Sequence, residues 1–294
     1  MMDTAHKLTD KKLAIIEKRI KRIFGQCARD VKKKADDFFA AFAEKDKKKL
    51  ALVKAGTLSK EEYAKWRRME ILVGEKYRNM EKNLTATMLD SYEAAIAFSN
   101  GRLPEIYALN YNFIGQRIEG AKIGYTFDIV NADTVKNLAS KKATLLPYKE
   151  VDGKKFERWS RAKTNSTVLS GIMKGDSIPD IADSLIRVVG MSRNTAVTNA
   201  RTMVTSAENA GRMDQMKRAE EMGTVIEKEW IATHDARTRD WHRDLDGVSV
   251  PLDQPFENDF GEIRFPGDPH ADPANVYNCR CTIAEKVIGF RPMR

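Results

Sequence analysis

Two stripes of apolar side chains, each stepping by three and four residues, run through the first hundred positions. The first is Leu13, Ile16, Ile20, Ile23, Cys27 and Val31, prolonged by Phe38, Phe39 and Phe42; the second is Trp66, Met69, Val73, Tyr77, Met80, Leu84, Met88 and Tyr92. Steps of three and four put each set on one face of a helix, whereas a strand would need alternation. Charged residues fill the opposite faces. Each helix must bury its stripe against another, so an antiparallel helical hairpin or small bundle is expected, with an intersubunit coiled coil as the alternative. Gly56 is expected to end the first helix. Ser59-Lys60-Glu61-Glu62 reads as a capping box that opens the second, a long one stopped at Asn100-Gly101. The methionines and aromatics of these stripes are packing residues and no cofactor box, and Cys27 is a packed thiol.

The helical pattern continues. Leu103 to Gly120 is read as a shorter helix with Pro104 in its first turn. Gly124 to Val130 is β-branched and aromatic, a strand or an extended link. Asp133 is expected to cap a short helix to about Leu138, and Leu145-Leu146-Pro147-Tyr148 to form an irregular crossing. Three helices then follow: Lys154 to Lys174, closed by Gly175; one begun at Ser177-Ile178-Pro179; and one capped by Ser192 that runs to Gly223. There the period changes. Thr224 to Thr233 alternates as a strand does, Arg237 to Leu245 suits a short helix broken at Gly247, Val248–Val250 and Ile263–Phe265 suit two short strands separated by a loop around Gly261, and Thr282 to Val287 a last strand. The expected fold is mainly α: a long-helix hairpin or bundle, then a helical segment, then a small C-terminal α/β module. The expected domains are a basic helical region over 1–150, a helical lead-in over 151–223 and the small module over 224–294.

Charge narrows the partners. The net charge of +9 arises in the first 60 residues, which hold 17 Lys and Arg against 8 Asp and Glu; the remainder holds 34 of each. The excess lies chiefly in Lys32-Lys33-Lys34 and Lys47-Lys48-Lys49. Such a region attracts a phosphate backbone or an acidic protein surface through counterion release; without interleaved aromatics it reads equally as a solvated helix face. No run approaches 18 apolar residues, so no bilayer-spanning helix is expected. The opening residues lack an apolar core, so no secretory signal is expected. An odd number of cysteines, three, makes no disulfide framework and suits synthesis in a reducing cytoplasm. Glycine-rich nucleotide-binding patterns are absent, so no ATPase or dinucleotide enzyme is suggested.

Scarce side chains crowd into Trp230–Cys281. These 52 residues hold three of the four histidines (His234, His242, His270) and two of the three cysteines. The order is His234-Asp235-x-Arg237-Thr238-Arg239-x-x-His242, then Asp246-Gly247, Pro266-Gly267-Asp268-Pro269 and Asn278-Cys279-Arg280-Cys281. Several unlike submotifs in this order closely resemble the Mu F-like family of phage minor head, or head morphogenesis, proteins. With the preceding Ala200-Arg201-Thr202 helix, the Gly stop and the Trp-bearing strand, the resemblance covers about residues 155–285. It implies a virion or prohead component of a tailed phage that works in capsid morphogenesis, at the head interior or portal vertex, after synthesis in the host cytoplasm. The implied partners are the portal protein and prohead or scaffold components, with double-stranded DNA, packaged or ejected, as a further contact through residues 1–60. Some family members carry an effector domain after the module; only 13 residues follow Cys281, so none is expected here.

Three chemistries suit the cluster. His234, His242, Cys279 and Cys281 are ligand types that suit zinc, although Cys-x-Cys is tighter than usual and His-x7-His lies about two helical turns apart. His234, Asp235, His242 and Asp246 hold the ingredients of a metal-dependent nuclease, without a recognised order. In the leading reading the cluster is structural: Asp235, Asp246 and Asp268 pair with Arg237, Arg239 and Arg280, while Gly247, Pro266 and Gly267 set tight turns. A Cys279–Cys281 disulfide is not expected. The resulting expectation is a head protein that is no enzyme and needs no cofactor. The alternatives are a metal-dependent nuclease or other DNA-processing enzyme, and a basic helical DNA-binding protein.

Overall fold

Helix α1, Thr4–Lys54, runs unbroken for 51 residues. The computed structural model describes residues 3–121, 126–142 and 144–291. The buried face of α1 is Ile16, Ile20, Phe24, Cys27, Val31, Ala35 and Phe39, close to the expected stripe; Leu13 and Ile23 sit half-buried at its edge. Gly56, at φ 74°, follows its end. The capping box forms as read: Ser59 Oγ accepts from the Glu62 amide at 3.1 Å, and the Glu62 carboxylate accepts from the Ser59 amide at 3.0 Å. It opens α2, Lys60–Arg67.

The single long helix expected over the second stripe is interrupted. A π-helical turn, Arg68–Leu72, is followed by a break and then by α3, Glu75–Asn100. A π turn holds more residues per turn than an α turn and so rotates the apolar face, and Val73 leaves helical geometry at φ −102°, ψ 60°. Met69 and Val73 are therefore exposed, while Tyr77, Met80, Leu84, Met88 and Tyr92 are buried as expected.

Helix α4 is Leu103–Ala121 and α5 is Ala132–Lys141. The cap of α5 is Asn131 and not Asp133: the Asn131 side chain accepts from the amides of Asp133 and Thr134. Of the strand expected over 124–130, residues 124 and 125 lie outside the described residues, and 126–130 form none. Val130 instead bonds the Asn112 carboxamide through both its N–H and its C=O, at 3.0 and 2.7 Å. A side chain thus takes the place of a strand partner. Helix α6, Gly153–Lys174, closes on Gly175 as read.

Helix α7, Ile178–Glu221, is one helix of 44 residues where two were expected. Ser192 caps nothing. It is buried, and its hydroxyl donates back to the Val188 carbonyl, the local bond by which serine is accommodated inside a helix.

Strand β1, Thr224–Ile231, is central to a three-stranded antiparallel sheet in the order β2 (Ser249–Pro251), β1, β5 (Thr282–Phe290). Its register sets Trp230 opposite Ile283 and Lys228 opposite Val250. The expected helix before Gly247 is reduced to α8, Asp240–Arg243. Strand β3, Phe256–Asn258, was not foreseen; it pairs with β4, Gly261–Ile263, so Gly261 begins a hairpin strand instead of lying in a loop between two separate ones. A last short helix, α9, is Pro273–Val276.

The chain divides into two compact units: Met1–Lys18, Ile96–Lys149 and Val197–Arg294 form one, Arg19–Ala95 and Glu150–Ala196 the other. In the first, Ile114 and Ile118 of α4 and Met213 and Met216 of α7 share a buried core with Ile226, Trp230, Phe256, Ile263 and Ile283 of the strands. In the second, the α1 stripe from Ile20 to Phe39 is buried, as are Tyr77, Met80, Leu84 and Met88 of α3 and Val168 and Ile172 of α6. No helix among the described residues is long and apolar enough to cross a membrane.

Two glycines of α7 respond oppositely to the same change. A Cβ at Gly211 would lie 2.5 Å from the Tyr107 carbonyl oxygen of α4, whereas one at Gly190 would meet nothing within 4 Å. Gly211→Ala is expected to destabilise the protein by about 1–3 kcal/mol through overpacking against backbone. Gly190→Ala is expected to stabilise it by about 0.5–1 kcal/mol through helix propensity. Urea denaturation of both variants checks this; equal shifts would remove the close approach as a constraint.

Candidate functional site

The polar cluster is assembled on the end of β1, the short helices α8 and α9, and the turn into β5. After Ile231 the chain leaves the sheet under tight backbone control: the Gly247 amide donates to the Trp230 carbonyl at 2.8 Å, and the Ala232 amide donates to Asp246 Oδ1 at 2.8 Å. Asp246 also meets His234 Nε2 at 3.1 Å on the exposed side of the loop. His234 is thus paired with a carboxylate and stands apart from the sulfur atoms.

Asp235 is the hinge of the loop. Its two oxygens take a bidentate fork from Arg280 at 2.6 and 2.7 Å and the Arg237 amide at 2.9 Å, and the Arg237 guanidinium lies at 3.5 Å. The Arg280 fork, above all, holds the Asp235 carboxyl well below the usual carboxylate range. Thr233 Oγ1 donates to the Arg280 carbonyl at 2.6 Å, tying the same two segments again. Arg239 donates to the Tyr277 carbonyl and lies over the Trp241 ring.

The Pro266-Gly267-Asp268 turn packs against α7. Gly267 has φ 79°, and a Cβ there would lie 2.8 Å from the Ser206 amide nitrogen, so both conformation and space demand glycine. The partner of Asp268 is Arg264: its guanidinium bonds both carboxylate oxygens at 2.8 and 2.6 Å, and the amides of His270 and Arg264 add further bonds. Burial alone would raise the Asp268 carboxyl; these donors outweigh it and hold the group below its ordinary value. Asn278 takes a left-handed conformation at φ 56° and donates its amide to Thr202 Oγ1.

At the centre lie His242, Cys279 and Cys281, each no more than 2% exposed. His242 Nδ1 is 3.6 Å from Cys279 Sγ and 3.7 Å from Cys281 Sγ. Nε2 faces Asn275 Oδ1 at 3.3 Å, and Asn275 is fixed by reciprocal amide bonds to Asn258 at 3.0 and 3.2 Å. Trp230 packs edge-on to the imidazole, 5.2 Å between ring centres. Both thiols are free; the shared proton and the adjacent imidazole lower Cys281, while the same contact and burial raise Cys279.

Of the four ligands considered for zinc, the structure brings three together and leaves His234 aside. His270 is exposed. The six lysines lie in the other unit. Lys32 bonds Asp183 and approaches Asp36, Lys34 donates to Thr87 Oγ1, Lys49 lies over Trp66, and Lys33, Lys47 and Lys48 are exposed.

Several residues essential to the site escaped sequence reasoning. Asn209 of α7, fully buried, donates to the carbonyls of Pro266 and Cys281 and accepts from the Ile283 amide. Thr205 Oγ1 donates to the Cys279 carbonyl at 2.6 Å. Lys228 is buried, donates to the Leu252 carbonyl and lies over Phe256; burial brings it down to about 8. Polar residues at buried positions, Thr205 and Asn209 on α7 and Lys228 on β1, were the available signal.

Comparison with known proteins places these features. Residues 162–284 match the family described as phage Mu protein F like protein, so the resemblance read from the motifs is shown for this part of the chain. The minor head protein GP7 of Bacillus phage SPP1 is 25% identical over 293 residues, 97% of this chain and 87% of that protein. An NAD(+)–arginine ADP-ribosyltransferase, EFV, of Enterococcus faecalis is 28% identical over 179 residues, 59% of this chain but 35% of that protein. No solved structure matches.

Asp268→Asn is expected to destabilise the protein by about 1–3 kcal/mol at pH 7, because a buried charged acceptor with several donors is lost. A carboxyl depressed in the folded state gives stability that is present above the unfolded value of about 4 and is lost as pH falls through the folded one. The gap between wild type and variant should therefore narrow below pH 4. Urea denaturation at pH 7 and 3.5 reads it, and a gap independent of pH would refute the pairing as the cause.

Proposed function

We propose that this chain, whose residues 162–284 carry the Mu F-like segment, is a phage minor head protein that acts in head morphogenesis. One observation carries the reading. The alignment with a minor head protein extends over 97% of the chain, so it takes in the long helices as well as the motif-bearing module. The architecture suits a docking role: the module is locked by charge-assisted bonds and buried amides, which fix a surface in shape before a partner arrives.

The finer assignments belong to the same proposal. The partners are the portal protein and prohead components, and the chain becomes part of the virion. Double-stranded DNA contacts the basic first 60 residues, where Lys33, Lys47 and Lys48 present charge to solvent while Lys32 is spent on Asp183 and Asp36. Action is by docking and not by turnover. A water-activating imidazole must reach a substrate, and His242, beside the thiols, is 1% exposed against Trp230. The transferase activity in the name of one relative belongs to a protein of which this chain matches 35%, and nothing carries it over.

The test is genetic and structural. Proheads and virions of the parent phage are expected to contain the chain, and a nonsense mutation in its gene to reduce infectious particles by at least about tenfold, with portal-bearing proheads capturing the purified chain. Normal yields of infective heads lacking the chain would overturn the reading. For the DNA contact, replacing the exposed Lys33, Lys47 and Lys48 by Gln should reduce the salt sensitivity of DNA binding; an unchanged salt slope would exclude it.

A further inference from the structure

We propose that His242, Cys279 and Cys281 bind one zinc ion, which staples helix α8 to the turn that leads into β5. The inference concerns the module alone and stands independently of the head-protein reading.

Geometry comes first. Tetrahedral zinc with Zn–S near 2.3 Å and Zn–N near 2.1 Å sets sulfur and nitrogen about 3.6 Å apart and two sulfurs about 3.8 Å apart. The observed Nδ1–Sγ separations are 3.6 and 3.7 Å, and all three donor atoms lie within 4.8 Å of one another. Both nitrogen–sulfur separations thus match corners of that tetrahedron, and the two sulfurs lie close enough to share one ion. The tight Cys-x-Cys interval does not prevent this, because the chain folds back on the first sulfur: the Cys281 amide approaches Cys279 Sγ at 3.5 Å.

The surroundings prepare the same atoms. His242 Nε2 faces the Asn275 carboxamide oxygen, and Asn275 is itself held by paired amide bonds with Asn258. With Nε2 donating to that oxygen, Nδ1 is left to face the sulfurs as an acceptor. A hydrogen bond that fixes the tautomer from behind is the usual support of a metal-bound histidine. Both cysteine carbonyls are also held by α7, through Thr205 and Asn209. These anchors keep the thiols in place before any ion enters.

The donor set selects the ion. Two thiolates and one imidazole suit zinc far better than magnesium or calcium, which take oxygen. Binding releases the thiol protons, and the ion holds together residues 242 and 279, 37 positions apart, in a unit whose elements here are four-residue helices and three-residue strands. Such a cross-link stabilises by coupling metal binding to folding. Among the described residues no fourth His, Cys, Asp or Glu joins the set, so the side chains supply three ligands.

Metal analysis of the full chain, purified without chelator from zinc-supplemented cells, is expected to find about one zinc per chain, and His242→Gln, Cys279→Ser and Cys281→Ser are each expected to reduce this at least about tenfold. Chelation should lower the wild-type Tm, and Zn2+ should restore it. Should the serine variants not fold, the wild type loaded with Co2+ in place of zinc still decides, because thiolate coordination gives a sulfur-to-cobalt charge-transfer band. Metal-free protein whose Tm ignores Zn2+ and chelator, or bound Co2+ without that band, would overturn the proposal.

Discussion

The buried guanidinium of Arg212 is the constraint on which the first unit depends. Its side chain has no solvent exposure, yet it donates to Asp3 at 2.6 and 3.0 Å, to Asn110 Oδ1 at 3.0 Å and to the Ile283 carbonyl at 3.0 Å, with Glu208 at 3.3 Å. Glu208 in turn bonds His6 at 2.7 Å. One residue of α7 thereby fixes the start of α1, the middle of α4 and the first residues of β5. A buried charge is tolerated only when every donor finds an acceptor, so these elements have one arrangement in which the network closes. Apolar packing between Met213, Met216, Ile114 and Ile118 supplies the larger share of the stabilisation but would allow sliding; the ion network sets the register.

The cluster near the C-terminus depends on that register. Asn209 lies one helical turn from Thr205, and the two take hold of Pro266, Cys279, Cys281 and Ile283 through backbone atoms. Because the bonds run to backbone, they set where the chain passes and leave its side chains free for other partners. Arg280 is thus directed to Asp235, while Cys279 and Cys281, on either side of it, turn toward His242. Alternation along a short extended segment separates the charged pair from the sulfur pair.

Much of this was legible in the chain, and the failures have identifiable causes. Ser59 with Glu62, Gly175 and the stop at Asn100-Gly101 act through neighbours in sequence, so local chemistry suffices to read them. Ser192 resembles a cap by residue type, but a serine inside a long helix bonds backward and leaves no trace in sequence that separates the two cases. The break at Val73-Gly74 was hidden because the apolar spacing continues across it, and the π turn that rephases the face shows only in the exposure of Met69 and Val73. Asn112 supplanting a strand partner for Val130 is a contact 18 positions away, beyond any local pattern. In the site, the residue types were legible and the pairings were only partly so. Asp235 finds Arg280 and Arg237 as read, Asp268 finds Arg264, and Asp246 finds His234. Which charges meet depends on how the loop folds over α7, and α7 entered the reading only as a lead-in.

The separation of His234 from His242 bears on what the module can do. Eight residues apart in sequence, they were grouped by type, yet one is 68% exposed in its side chain beside a carboxylate and the other is sealed among sulfur and aromatic rings. Catalysis by a pair of imidazoles would need both at one accessible surface. Burial of one with the thiols, and ion pairing of the other at the rim, instead gives the two imidazoles separate surroundings. Side chains already held in one geometry lose little entropy when a partner docks.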